Sequence, residues 1–272
     1  MRRPLLCTYA GKFRAIGDLM ITRSELISYC DRLLESKGIA DYCPNGLQVE
    51  GCESIQSIVS GVTASLELIE AAAERGASVL LVHHGILWGR EPVPITRSFR
   101  RRVKTLLDND INLIGYHLPL DRHLEVGNGA AVARRLGFNE WTPFGRHKGI
   151  TVGVQAAYET PTSIESLTSA CLTELGSTAP VVFPYGPSDI RKVGIVTGAA
   201  DKDLPQALEA DLDCFITGEV SEYVMHFCKE EGIHFIGAGH HATERWGIQD
   251  LCKRIQGELS IPFEYVDVPN PV

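Results

Sequence analysis

A chain of 272 residues is long enough for one large domain or two lobes of ordinary size, and its 44% hydrophobic and 22% charged residues are normal for a globular protein. The formal net charge of −8 argues against a broad basic face for duplex nucleic acid. No apolar run approaches the length of a membrane span, and the eight cysteines, with no Cys-x-x-Cys pair among them, read as reduced thiols of a cytoplasmic protein.

Residues 1–19 are partly basic but lack a continuous apolar stretch and a cleavage site. They are expected to be a disordered extension rather than a signal peptide. Thr22 and Glu25 then spell a capping box for a helix with the apolar stripe Leu26, Ile27, Tyr29, Cys30, Leu33 and Leu34, ending near Gly38. Pro44-Asn45-Gly46 is a turn. A strand is expected over 57–62, a helix over 65–75, and a buried strand over 79–82 that ends in His83-His84-Gly85. A loop over 86–99 carries Trp88, Pro92 and Pro94. A basic helix over 100–108 leads to a strand over 111–116, which ends in His117-Leu118-Pro119-Leu120-Asp121, and a helix follows over 128–136.

The texture then changes. A strand over 149–158, a helix over 163–175 and a strand over 180–183 read as an inserted α/β piece. After it the opening pattern returns. Val193 to Gly198 matches Ile58 to Gly61, the helix over 204–210 matches that from Ser65, Cys214 to Glu219 matches Leu80 to His84, and Ile233 to Gly237 matches Ile111 to Gly115. This echo predicts an α/β protein of two related lobes, with mixed or parallel sheets flanked by helices. The units are a first α/β unit over 20–145, an inserted segment over 146–190 and a second α/β unit over 191–272.

Polar residues concentrate at four strand ends: His83-His84, His117 to Asp121, Glu219, and His240 to Glu244. These segments hold five of the nine histidines. In open α/β sheets, ligands bind outside the carboxyl ends of the strands, so two facing units would bring these ends into one cleft. If a helix starts near Ala242, His240 and Glu244 lie four apart across its first turn and can face one divalent cation. Bland alternatives exist for each residue. His83 and His84 would face opposite ways on a regular strand, one of them as a core histidine bonded to backbone, unless it has ended at Val82. His117 would order the turn at Pro119, Asp121 would pair with Arg122 or Arg146, Glu219 would cap a helix from Ser221, and Thr243 would be a cap. Two divalent ions would bring +4 against the −2 of Asp121 and Glu244, which favours an anionic substrate group or a bridging hydroxide. Nitrogen and oxygen donors without thiolate suit Zn, Fe, Mn, Co or Ni.

Five ordered motifs carry a resemblance: Pro44-Asn45-Gly46-Leu47-Gln48-Val49, Val82-His83-His84-Gly85 with Trp88, Tyr116-His117-Leu118-Pro119-Leu120-Asp121, Thr217-Gly218-Glu219-Val220-Ser221-Glu222, and Gly239-His240-His241-Ala242-Thr243-Glu244. With them, from Met20 to the end, the chain resembles the GTP cyclohydrolase 1 type 2 homologue (Nif-three-like) family, and Asp267 to Pro271 looks like its short bacterial branch. The resemblance implies a two-lobed fold, a toroidal homohexamer and a dinuclear metal site. By motif, His83, His84, Asp121, His240 and Glu244 would be the metal ligands, and His117 and Glu219 would either support those ligands from behind or serve as acid/base candidates. The match is poorest over 148–184. The expected function is a metal-dependent hydrolase, with a bridging hydroxide acting on a nucleotide-like or cyclic amide substrate. The alternative is a metal-binding regulatory or chaperone protein without turnover. Single-stranded nucleic acid as partner finds no basic-aromatic stripe to support it.

Overall fold

Two sheets, each built on three parallel strands joined by helical crossovers, meet at their carboxyl edges. The computed structural model describes residues 21–89 and 94–272, so the extension over 1–19 and Pro92 lie outside the described residues. In chain order the first part holds β1 (Ile21–Thr22), α1 (Arg23–Leu33), β2 (Gly46–Val49), β3 (Ser54–Ile55), β4 (Ile58–Thr63), α2 (Leu66–Glu74), β5 (Val79–His84), α3 (Arg97–Asp108), β6 (Asn112–Gly115), α4 (Leu118–Asp121) and α5 (Asn128–Arg135). The capping box closes as its sequence predicts. The Glu25 amide donates to Thr22 Oγ1 at 3.2 Å, and the Thr22 amide donates to Glu25 Oε2 at 2.8 Å. Ser65 caps α2 in the same manner through the Leu68 amide.

The second part holds β7 (Trp141–His147), β8 (Ile150–Thr162), α6 (Ile164–Leu175), β9 (Val181–Pro184), β10 (Ile190–Ile195), α7 (Leu204–Glu209), β11 (Cys214–Thr217), α8 (Val224–Glu231), β12 (His234–Gly237), α9 (His240–Leu259) and β13 (Phe263–Tyr265). One sheet runs β13-β4-β5-β6-β2 and the other β7-β8-β10-β11-β12-β9. The parallel trios β4-β5-β6 and β10-β11-β12 are the internal echo in three dimensions. Strands β8 and β9 from the 146–190 stretch pair antiparallel with β10 and β12, so they widen the second sheet. At the other end of the chain, β13 pairs parallel with β4 and joins the first sheet.

Alternation along β4 and β5 sorts the first core into two layers. Ile58, Val79 and Leu81 face α1 and α9, whereas Val59, Leu80 and Val82 face α2 and α3. Each such fully buried side chain contributes roughly 1.5–3 kcal/mol through removal from water. The buried thiols of Cys30, Cys171, Cys214, Cys228 and Cys252 pack as small apolar groups in these layers and their counterparts, and none is disulfide-bonded. Among the described residues no helix is long and apolar enough to cross a membrane.

Three boundaries differ from expectation in ways that matter. The strand expected to stop at Val82 continues to His84, because β4 stays alongside it as far as the Thr63–His84 pair. The last helix starts at His240 rather than near Ala242, after Gly239 with φ 98°, so Thr243 lies within the first turn and is not its cap. The basic helix begins at Arg97, three residues early.

Candidate metal centre

The ends of β5, α4, β11 and α9 deliver their polar side chains to one cleft. His83 and His84 share it although they are consecutive on a strand. On the β6 side, pairing ends at Val82–Gly115. Both rings lie beyond that last pair, with centroids 4.5 Å apart. His83 is fully buried and its Nδ1 lies 2.9 Å from the Tyr116 carbonyl oxygen. A carbonyl only accepts, so Nδ1 carries a proton and Nε2 is the nitrogen that faces the cleft. His84 Nδ1 is hydrogen-bonded to Thr63 Oγ1 at 3.1 Å, which holds the ring in place.

Glu244 is the hub. Its Oε1 lies 3.5 Å from His83 Nε2, and its Oε2 lies 3.1 Å from His84 Nε2 and 2.9 Å from His240 Nε2. Asp121 Oδ1 stands on the other side of His83 Nε2, at 3.5 Å. The donor atoms therefore include two adjoining triads that share Glu244, His83–Asp121–Glu244 and His84–His240–Glu244, and His83, His84 and His117 make a further group, each within 4.8 Å. These clusters could hold metal ions. Glu244 Oε2 is buried and has no properly directed hydrogen-bond partner among the described residues, despite the two imidazole nitrogens close by. A buried carboxylate oxygen without a donor is costly, and a cation would satisfy it.

Electrostatics agree with this geometry. Burial presses His83 down, yet the charges of Asp121 and Glu244 prevail and raise it to about 9. His240, also pressed down by burial, is raised to about 9 by Glu244 and Glu219. Burial holds His84 below its ordinary value. Burial pushes the Glu244 carboxyl up, but the three surrounding histidines hold it well below the ordinary carboxylate range. In the absence of metal, protons on histidine therefore balance the central carboxylate.

His83 is a core histidine bonded to backbone, one of the bland alternatives, while Asp121, Glu219 and Thr243 have partners other than those the bland alternatives gave them. Arg122 pairs with Glu35 and Arg146 with Glu209, whereas Asp121 Oδ1 accepts from Asn128 Nδ2 at 2.8 Å. Helix α8 starts only at Val224, and Glu219 instead holds His240 Nδ1 at 2.6 Å. Thr243 donates to the His240 carbonyl and accepts from the Gly198 amide. His117 sits beside the triads, its ring 5.1 Å from that of His83, and its Nδ1 lies 2.7 Å from Asp41 Oδ1.

Asp41, Asn128 and Gly198 were not singled out from the sequence. Asp41 also accepts from the Tyr42 amide, Asn45 Nδ2 and the Leu118 amide, which locks the loop over 41–45 onto α4. It stands near Cys43 and His117, but these bonds saturate its oxygens, and burial pushes the Cys43 thiol up to about 12, where it stays protonated. That trio therefore makes a poor cation site. Asn128, fully buried, donates to Asp121 and accepts from the Gly247 amide of α9 at 2.9 Å. The one sequence signal for it was an asparagine between two glycines at a helix start.

Asp41 supplies a pH prediction. Burial pushes its carboxyl up, but hydrogen bonds and the charge of His117 outweigh that and bring it down from 3.8 to about 2. A lowered carboxyl contributes stability that is present above its unfolded value of 3.8 and lost as pH falls toward 2. The amount is about 2 kcal/mol. Asp41→Asn is expected to cost that much at pH 7 and little at pH 2, measured by denaturant melts; an equal cost at both pH values would refute the assignment.

The chain matches the Duf34/NIF3 (NGG1p interacting factor 3) family over residues 21–271. It is 43% identical over 253 residues to a protein of Pseudomonas aeruginosa called GTP cyclohydrolase 1 type 2 homolog, covering 93% of this chain and 100% of the relative. Among solved structures it is similar to protein ybgI, of unknown function, with a TM-score of 0.86 and 41% identity over 93% of this chain and 100% of that one. A crystal structure from Thermus thermophilus gives a TM-score of 0.84 at 33% identity, with the same coverage of 93% and 100%.

Proposed function

The chain belongs to the Duf34/NIF3 family, and from that premise we propose that it is a hydrolase built around two divalent cations. The observation that supports this reading is the placement of Glu244, whose two oxygens face two different sets of donors. His83, Asp121 and Glu244 would hold one cation; His84, His240 and Glu244 would hold the other. Bound there, the pair would make water acidic near neutral pH and polarise an electrophilic centre. The protein's own groups do the rest. Tyr116 fixes the tautomer of His83, Thr63 holds the ring of His84, and Glu219 orients His240, as the partners of metal-bound histidines commonly do. With Glu219 engaged in that way, His117 is the better proton carrier, because Asp41 fixes its Nδ1 and leaves Nε2 for a reacting atom. Partial exposure of His84 and His240 keeps one side of the cleft open to a nucleotide-like or cyclic amide substrate.

The test pairs metal analysis of protein purified without added ions with product formation from nucleotides and cyclic amides. Two equivalents per chain and a metal-dependent product are expected, with Asp121→Ala lowering turnover by more than about 100-fold. Two equivalents held without any product would turn the reading to a metal-binding regulatory or chaperone role, and no metal at all would end both. The toroidal homohexamer belongs to the same reading and is tested by sedimentation.

A further inference from the structure

Two large aromatic side chains stand exposed at the rim of this cleft, where burial is the norm for such residues. Trp88 is 42% exposed and Tyr42 48%. Trp88 is not free to swing: its Nε1–H donates to the Gly85 carbonyl at 3.1 Å. Its ring meets His117 nearly edge to face, with centroids 5.3 Å apart and planes at 79°, and lies 5.7 Å from His84. A fixed indole thus walls the mouth directly above the histidines.

The same rim continues through Tyr42, whose carbonyl accepts from the Gly89 amide at 2.7 Å, to a hairpin of the other lobe. The hairpin between β7 and β8 turns through Lys148 and Gly149 alone, with φ 47° and 86°. A two-residue turn with both φ positive favours Asn and Gly, and lysine is uncommon there. The turn brings His147 Nε2 to 2.8 Å from the Tyr42 hydroxyl and sets the Lys148 ammonium 3.2 Å above the Tyr42 ring centre. No carboxylate among the described residues forms an ion pair with Lys148. In a chain of net charge −8, this is a cation held at the mouth by an aromatic ring and left available to an anion.

We propose that Trp88 and Lys148 form the recognition end of the cleft, and that the ligand is a planar nitrogen heterocycle carrying a phosphate, of the nucleoside monophosphate type. This rests on the cleft being the reaction site, as read above. The heterocycle stacks on the indole, a contact tolerant of which base is presented. The ammonium takes the phosphate as a point charge.

The full-length, metal-loaded protein is titrated calorimetrically with guanosine 5′-monophosphate, guanosine and ribose 5-phosphate. The monophosphate is expected to bind more tightly than either fragment. Trp88→Ala should weaken the monophosphate and guanosine about 10- to 100-fold, leaving ribose 5-phosphate unchanged, and Trp88→Phe should recover most of the loss. Lys148→Ala should weaken the two phosphate-bearing probes several-fold and spare guanosine. Either alanine variant binding all three probes like the parent overturns the proposal, as does a parent that binds none of them in the millimolar range. Metal content is measured on every sample. Metal present without probe binding sinks the recognition proposal alone, whereas probe binding by a chain that takes up no metal sinks the cation reading and spares this one.

Discussion

Glu244→Ala is expected to empty both cation positions together, reducing metal content from two equivalents to below one and affinity by more than about 100-fold. The reason is geometric: the carboxylate is the one donor group common to both triads. Loss of a single equivalent would show that Glu244 serves one position only. Metal-stripped protein gives a second readout. His83 and His240 are raised from 6.5 to about 9, so their contribution to stability is complete below 6.5 and disappears as pH rises through 9. Glu244 is lowered from 4.5, so its contribution holds above that value and fails as pH falls below it. Removing the carboxylate from this buried group should therefore cost most near pH 6, about 3–5 kcal/mol, and much less by pH 9. Thermal melts in chelator across that range would measure it; a cost that does not shrink with rising pH would contradict the pairing.

Gly198→Ala should come close to the same loss of metal without touching a donor. Gly198 follows β10 with φ +71°, and a Cβ built on it would lie 2.2 Å from Glu244 Oε1 and 3.2 Å from His240 Nε2. A methyl group there must displace the hub carboxylate, and the left-handed backbone adds about 1 kcal/mol of strain for alanine. Gly237→Ala is the control. Its Cβ would meet nothing closer than 3.5 Å, and its φ is not left-handed. Metal analysis and circular dichroism melts of both variants decide: a Gly198→Ala protein that keeps two equivalents would place Glu244 elsewhere than described.

What could be read from the sequence was whatever is local. The capping box at Thr22, the stripe after it and the repeated strand–helix pattern are set by neighbours within a few residues, and they fold as read. The polar strand ends were visible because each is a short contiguous run. Asp41 and Asn128 were not, because their meaning lies 76 residues away in His117 and 119 residues away in Gly247. Strand β2 was masked by the turn that begins it and by its half-buried edge position. Strand β7 carries Pro143 and Gly145, which signal a loop, yet an edge strand tolerates both. The end of β5 misled through the rule of alternating faces, which weakens where pairing on one side has stopped.

Helix α9 has its first turn at the second sheet and sends Ile248, Leu251, Cys252 and Ile255 into the layer packed against the first. Its exit strand β13 is then stitched beside β4. One rod, about 30 Å long, is thus riveted at both ends. The halves of this molecule cannot swing apart like a clamshell without tearing that rod from its seat. At the cleft's rim the Tyr42 hydroxyl and His147 Nε2, 2.8 Å apart, add a second tie between the halves by joining the β7–β8 hairpin to the loop over 41–45.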